Sequence, residues 1–264
     1  MDILFVHGAL VRDGQWWWRP TEELTEAETG IRSRSLALPS CGERPADGRD
    51  DVRVGSDGAG SDGAGSDGAG SDGAGEPATG LLADAAALRR ALDEASGPGE
   101  VIVVAHSYGG TVVAEAGAHP AVAHLLLVSS YLPDVGQSQG AVMSGETDPV
   151  PLGDAGAGRL GLVGDLDAPW FGARFLQDGT PEQQREAFSR VVPQDAASFT
   201  TPTTRAGWQG VDSTYLVCAD DRSTSVGLQR EHAARATRSV ELPTGHHPFV
   251  TRPDLVVEQL RAFA

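Results

Sequence analysis

Val101-Ile-Val-Val-Ala-His-Ser-Tyr-Gly-Gly110 decides the fold of this chain. Four consecutive β-branched residues, Val101–Val104, read as a buried strand, and the residues from Gly110 to Gly117 read as a helix. Between them the chain must turn sharply through Ala105-His106-Ser107-Tyr108-Gly109, which throws the Ser107 hydroxyl out at the tip of the turn. In such a nucleophile elbow the residues two before and two after the serine nearly touch, so both must be small, as Ala105 and Gly109 are. The N–H groups that open the following helix then point at whatever the serine attacks.

A serine is a poor nucleophile until a base takes its proton, so the elbow demands a histidine and, behind it, a carboxylate. Both follow in the order Ser, Asp, His. Thr214–Cys218 reads as a buried strand with Ala219-Asp220-Asp221-Arg222 at its C-terminal end, and Ser239–Leu242 reads as another, followed by Pro243-Thr-Gly-His-His-Pro248. Loops at the C-terminal ends of parallel strands are where open α/β sheets keep their sites, so Ser107 and the two loops fall on one edge. Asp2–Val6 reads as a strand ending on the same edge, with His7-Gly8-Ala9 as the turn leaving it. Acyl transfer develops an oxyanion that needs two N–H donors; these are assigned to the backbones of Tyr108, which follows the serine, and Ala9. Gly8 lets the chain approach a substrate with no Cβ in the way.

Val6-His-Gly-Ala9, Trp16-Trp-Trp18, Leu38-Pro-Ser-Cys-Gly42, His106-Ser-Tyr-Gly-Gly110, Tyr215–Cys218 with Asp221-Arg222, and His246-His-Pro-Phe249 together resemble the α/β-hydrolase superfamily. More narrowly they resemble its small branch of plant methyl-ester esterases and hydroxynitrile lyases with their bacterial relatives. The resemblance covers nearly the whole chain except Val54–Pro77. It implies Asp221 rather than Asp220 as the catalytic acid, His246 rather than His247 as the base, and no cofactor. The lyases of that branch carry a threonine where this chain has Gly8 and a lysine where it has His247, so the resemblance implies an esterase acting on a small, largely apolar ester, thioester or lactone. The same triad also serves lyase, cyclase or decarboxylase chemistry, and some proteins of this fold are small-molecule receptors.

The remaining segments alternate as an α/β fold requires. The pattern predicts a helix within Trp18–Thr29, a strand over Ile31–Leu38, a helix over Leu81–Ala95 with Leu81, Ala85, Leu88 and Leu92 on one face, a strand over His124–Ser129 and a closing helix over Pro253–Phe263. The expected architecture is a six-stranded, mostly parallel sheet with helices on both faces, its core formed by residues 1–133 and 208–264. Residues 134–207 break the alternation with glycines, prolines and short pieces such as Pro181–Val191. They are expected to form a cap whose Trp170, Phe171, Phe175, Leu176, Phe188, Phe199 and Trp208 roof an apolar pocket. Trp16–Trp18 read as core packing rather than as pocket lining.

Ser56–Gly75 is SDGAG repeated four times. Such a segment cannot bury enough surface to offset its ordering entropy, so residues 55–77 are expected to be a disordered loop, with an r.m.s. span of about 25 Å. Its five-residue period lacks the large apolar residue of glycine-rich calcium repeats.

The net charge of −17, with no basic cluster, argues against nucleic acid as a partner, and the resemblance implies a small-molecule substrate. No stretch approaches eighteen consecutive apolar residues, and Asp2-Ile-Leu-Phe5 lacks the basic start of a signal peptide, so no membrane association and a cytoplasmic location are expected. Cys41 and Cys218 form no disulfide framework, and Cys218 reads as a core residue. Metal ligation is not expected, because the adjacent His246 and His247 should point apart, with Pro248 holding His247 extended and away from Ser107. His7 is expected to brace its loop and His106 to pack beside the serine. His119, His124 and His232 belong to no motif, and nothing in the sequence sets an oligomeric state.

Overall fold

A computed structural model describes residues 1–43, 79–95, 97–164 and 169–263. In chain order the elements are β1 (Asp2–Val6), α1 (Gly14–Thr29), β2 (Arg32–Ser35), α2 (Gly80–Asp93), β3 (Val101–His106), α3 (Gly109–Ala116) and β4 (Val122–Val128). The stretch that follows holds α4 (Gln139–Met143), β5 (Leu152–Asp154), β6 (Arg159–Leu162), α5 (Pro169–Phe175), α6 (Pro181–Phe188), β7 (Gln194–Asp195) and α7 (Ala197–Thr200). Then come β8 (Ser213–Cys218), α8 (Val226–Ala233), β9 (Arg238–Leu242), α9 (Pro248–Thr251) and α10 (Pro253–Leu260).

Six strands form one sheet in the order β2-β1-β3-β4-β8-β9, every neighbouring pair parallel. Alternation along the strands divides the core in two. Ile3, Phe5, Ile102, Val104, Leu126 and Leu216 meet Trp17 and Trp18 of α1 and Val256 and Leu260 of α10. Leu4, Val6, Val103, Ala105, Leu127 and Val217 meet Leu81 and Leu88 of α2 and Val112 of α3. Each large side chain so buried contributes roughly 1.5–3 kcal/mol. Parallel strands covered on both faces explain the unbroken apolar run of β3.

The chain runs from β1 outward to β2 and then returns to β3 on the other flank of β1. That reversal opens a crevice at the C-terminal ends of β1 and β3, the place where open α/β sheets bind ligands. The pairing of Val6 with Ala105 sets His7-Gly8 beside His106-Ser107.

Three expectations need correction. Helix α1 begins at Gly14 rather than within Trp18–Thr29, because Asp13 caps it through Trp16 N–H at 3.3 Å. Strand β2 stops at Ser35, where the chain bends toward the turn at Pro39–Cys41, and Leu38 N–H donates to Glu43 rather than to a strand. The stretch between β4 and β8 contains an antiparallel sheet, β5-β6-β7, whose strands of two to four residues are too short to show alternation in the sequence. Cys41 and Cys218 are free and buried. The SDGAG repeat and the Trp170 side chain lie outside the described residues. Among the described residues no helix is long and apolar enough to cross a membrane.

Candidate active site

The turn after β3 has the geometry that its small residues allow. Ser107 adopts φ 52°, in the left-handed region. A Cβ on Gly109 would come within 2.7 Å of the Val6 carbonyl oxygen, and one on Gly110 would collide with the Tyr131 carbonyl. Ser107 N–H donates to Val128 at 3.1 Å, Tyr131 N–H donates to the Ser107 carbonyl at 3.1 Å, and Ser130 Oγ donates to Ala105 at 2.7 Å. The end of β4 therefore clamps the strained turn from behind.

His246, in the loop after β9, donates Nδ1–H to Asp221 Oδ2 at 2.7 Å, and both side chains are buried. The same carboxylate accepts from Ser129 Oγ at 2.7 Å, Gln229 Nε2 at 3.0 Å, Ser223 N–H at 2.7 Å and Thr224 N–H at 3.0 Å. Burial alone would push the Asp221 carboxyl up. The His246 imidazole and these donors outweigh it and hold the group below the usual carboxylate range, so Asp221 is ionised. Asp220 is exposed and its side chain takes no part in this network. Ser107 and His246 both line one cleft, while Asp221 stands behind the imidazole.

His247 does not turn away. Its ring lines the same cleft as Ser107, stacks on Trp17 with centroids 5.0 Å apart, and donates Nδ1–H to the Phe175 carbonyl at 2.6 Å. Nor do the adjacent histidine rings diverge: they pack edge to face with centroids 4.8 Å apart, because the peptide between them bends into α9 at Pro248. Burial, reinforced by His246, pushes His247 down to about 3. His106 packs beside them as expected, Nε2–H donating to the His246 carbonyl at 2.9 Å, and burial holds it well below the usual imidazole range.

Gly8 faces the elbow so closely that a Cβ would lie 2.9 Å from His106 Nδ1 and 3.2 Å from Ser107 Cβ. Ala9 lines the cleft. Tyr108 does not: its ring points into the core, and its hydroxyl donates to Asp84 Oδ2 at 2.8 Å, leaving only its backbone near the serine. Among the described residues no protein acceptor meets the N–H of Ala9 or of Tyr108.

A buried polar network joins the two loops. Asp84 on α2 accepts from Tyr108, from Ser40 N–H at 3.0 Å and from Ser40 Oγ at 2.5 Å. Gln194 Nε2 donates to Ser40 Oγ at 2.9 Å, and Gln194 Oε1 accepts from Leu10 N–H at 2.8 Å. The turns carrying Ala9 and Tyr108 are thus held by one set of bonds. His7 braces its loop, as expected, through Glu43 at 2.7 Å and the Gly8 carbonyl. Sequence reading missed Asp84, Gln194 and Ser129. Asp84 carries a usable signal, an acid three residues after Leu81 on the apolar stripe of α2; Gln194 and Ser129 carry none.

The cleft encloses about 810 Å³, part of it open to solvent. Trp17, Phe171, Phe175, Leu176 and Phe199 line it, with Leu152 and Leu162 of the antiparallel sheet. Two expected roof residues lie elsewhere. Phe188 packs on Phe171 at 4.9 Å, and Trp208 belongs to the core with its Nε1–H donating to the Pro133 carbonyl at 3.0 Å.

Residues 3–259 match the alpha/beta hydrolase family. The chain belongs to that family. It is 28% identical over 193 residues to an alpha/beta hydrolase, nvfD, of Aspergillus novofumigatus, a match covering 67% of this chain and 76% of the relative. Two solved structures share the fold. A pyrethroid hydrolase from Sphingobium faniae has a TM-score of 0.70 at 21% identity, covering 100% of this chain and 96% of that one. A methylesterase from Arabidopsis has a TM-score of 0.67 at 17% identity, covering 100% and 98%.

Proposed function

We propose that this alpha/beta hydrolase is a serine esterase that cleaves a small, largely apolar ester, thioester or lactone through an acyl-enzyme. The observation that carries the reading is the buried His246–Asp221 pair at 2.7 Å, aimed into the cleft that Ser107 also lines. With Nδ1–H committed to Asp221, His246 is held in the tautomer whose Nε2 is a bare base. Ser107 Oγ attacks the acyl carbon and gives its proton to His246 Nε2; the backbone N–H groups of Ala9 and Tyr108 hold the oxyanion; His246 returns the proton to the leaving alcohol. Water then repeats the sequence and releases the acid. The stretch 134–207 acts as a cap, and its aromatic and aliphatic lining supports an apolar acyl or alkyl group.

Two features favour hydrolysis over cyanohydrin cleavage. A side chain at position 8 has no room beside His106, so no hydroxyl can stand there. His247, pushed down to about 3, is neutral and supplies no cation for a departing anion.

A p-nitrophenyl ester series of increasing acyl length, run beside a fluorophosphonate probe with mapping of the labelled peptide, tests this reading. Turnover of short and medium esters with label on Ser107 is expected, and Ser107→Ala should lose roughly three or more decades of kcat along with the label. Label on another residue, or an unchanged rate in Ser107→Ala, would sink the serine mechanism.

A further inference from the structure

Each of the three imidazoles beside Ser107 has one nitrogen committed as a donor. His106 Nε2 lies 2.9 Å from the His246 carbonyl oxygen, His246 Nδ1 2.7 Å from the Asp221 carboxylate, and His247 Nδ1 2.6 Å from the Phe175 carbonyl oxygen. A carbonyl or an ionised carboxylate only accepts, so these nitrogens carry the hydrogens. In the neutral form of each ring the other nitrogen is then a bare lone pair: His106 Nδ1, His246 Nε2 and His247 Nε2. The three rings pack with centroids 4.4, 4.8 and 4.9 Å apart, and a ring nitrogen from each lies within 4.8 Å of one from each of the others. All three line the cleft.

Imidazoles whose outer N–H is fixed by a carbonyl or carboxylate are the form in which histidine ligates metals, because the outer bond sets the tautomer and aims the free lone pair. Three neutral nitrogen donors suit zinc and copper and hold little for magnesium or calcium, which take oxygen ligands. We propose that His106, His246 and His247 form a tri-imidazole site for a Zn²⁺ or Cu²⁺ ion, and that the bound ion stops turnover by occupying the His246 lone pair. Zinc–nitrogen bonds of about 2.0–2.1 Å put tetrahedral ligands roughly 3.3 Å apart, so on capture the rings must draw together and turn their bare nitrogens toward one point. The fourth position faces the cleft and takes water.

The binding half of this proposal stands apart from the esterase reading, and the inhibitory half rests on it. Binding is read in the full-length Ser107→Ala protein, by calorimetry with ZnCl₂ and by the visible d–d bands of tetrahedral Co²⁺. One ion per chain and those bands are expected. His247→Phe keeps a ring against Trp17 but loses its lone pair, and should weaken binding by at least about tenfold. In the wild type, micromolar Zn²⁺ should abolish ester turnover, EDTA should restore it, and Mg²⁺ or Ca²⁺ should leave it unchanged. His247→Phe, measured against its own metal-free rate, should need at least about tenfold more Zn²⁺. The site is overturned if the tetrahedral Co²⁺ bands are absent, if His247→Phe binds as tightly as its parent, or if ester turnover persists in millimolar Zn²⁺. One tight Co²⁺ site in a protein that turns over no ester would instead retire the esterase reading and leave the site standing.

Discussion

Replacing Ser107 with glycine should abolish turnover and yet make the protein more stable than Ser107→Ala. The residue sits at φ 52°, where an L side chain costs roughly 1–2 kcal/mol, and serine and alanine both carry the Cβ responsible. Glycine removes that cost but gives the unfolded chain extra freedom worth about 0.5–1 kcal/mol. The difference leaves Ser107→Gly ahead of Ser107→Ala by about 0.5–1 kcal/mol. For a chain of this size that is a melting temperature higher by roughly 1–4 °C. The turn cannot relax in the alanine variant, because Gly109 is pressed against the Val6 carbonyl and Gly110 against that of Tyr131. Paired thermal and urea unfolding of the two variants reads the difference, and an ester assay confirms that both are inactive. If the glycine variant melts at or below the alanine variant, the elbow stores no strain and the small residues flanking it need another explanation.

Ser129→Ala removes a 2.7 Å charge-assisted bond to Asp221, a loss of roughly 1.5–3 kcal/mol that should lower kcat by about tenfold or more with little change in KM. It should also raise the Asp221 carboxyl. The stability that Asp221 contributes is present above about 3.9 and lost as pH falls through its depressed folded value, so acid unfolding of the variant should begin at higher pH. His232→Leu should flatten the acid limb of stability. Burial holds this histidine at about 4 with both ring nitrogens unpartnered, so below about 6.5 the unfolded chain binds a proton that the fold refuses. That refusal costs ~2 kcal/mol at about pH 5 and almost nothing at about pH 7.5. The drop in melting temperature between those two pH values should shrink in the variant. It should not vanish, since His247 acts in the same direction. Asp84→Asn replaces an oxygen that accepts with an amide that donates, and should lower kcat more than it changes KM. Tyr108→Phe, which removes one bond of the network, should do less; equal losses would mean the network does not position the Ala9 and Tyr108 turns.

The inner strands β1, β3, β4 and β8 were legible because they are buried on both faces, which writes each as a largely apolar run with the loop after it marked by small or polar residues, whereas the part-exposed edge strands β2 and β9 carry no such run. The strand ends put Ser107 and the loops at 219–222 and 243–248 on one edge, while the choice of Asp221 over Asp220 and of His246 over His247 came from the family resemblance. What stayed hidden depends on contacts between distant segments. Ser129 and Gln229 are ordinary residues until Asp221 is beside them. Which aromatic faces the cleft is likewise set by packing: Trp17 lines it, Trp18 is stacked between Phe5 and Phe249, and Trp208 is in the core, though all three read alike.

Asp84 marks the boundary between the two cases. A carboxylate on the apolar stripe of a helix cannot remain buried without donors, so the stripe Leu81, Asp84, Ala85, Leu88 already requires hydroxyl or amide partners from a neighbouring element. Helix α2 packs beside α3, and the donor nearest the start of α3 is the residue after Ser107. The demand therefore lands on Tyr108, whose side chain is drawn into the core and away from the cleft, leaving its backbone N–H beside the serine. In this fold the burial cost of one acid on the far side of the sheet's edge decides the orientation of the residue proposed to hold the oxyanion.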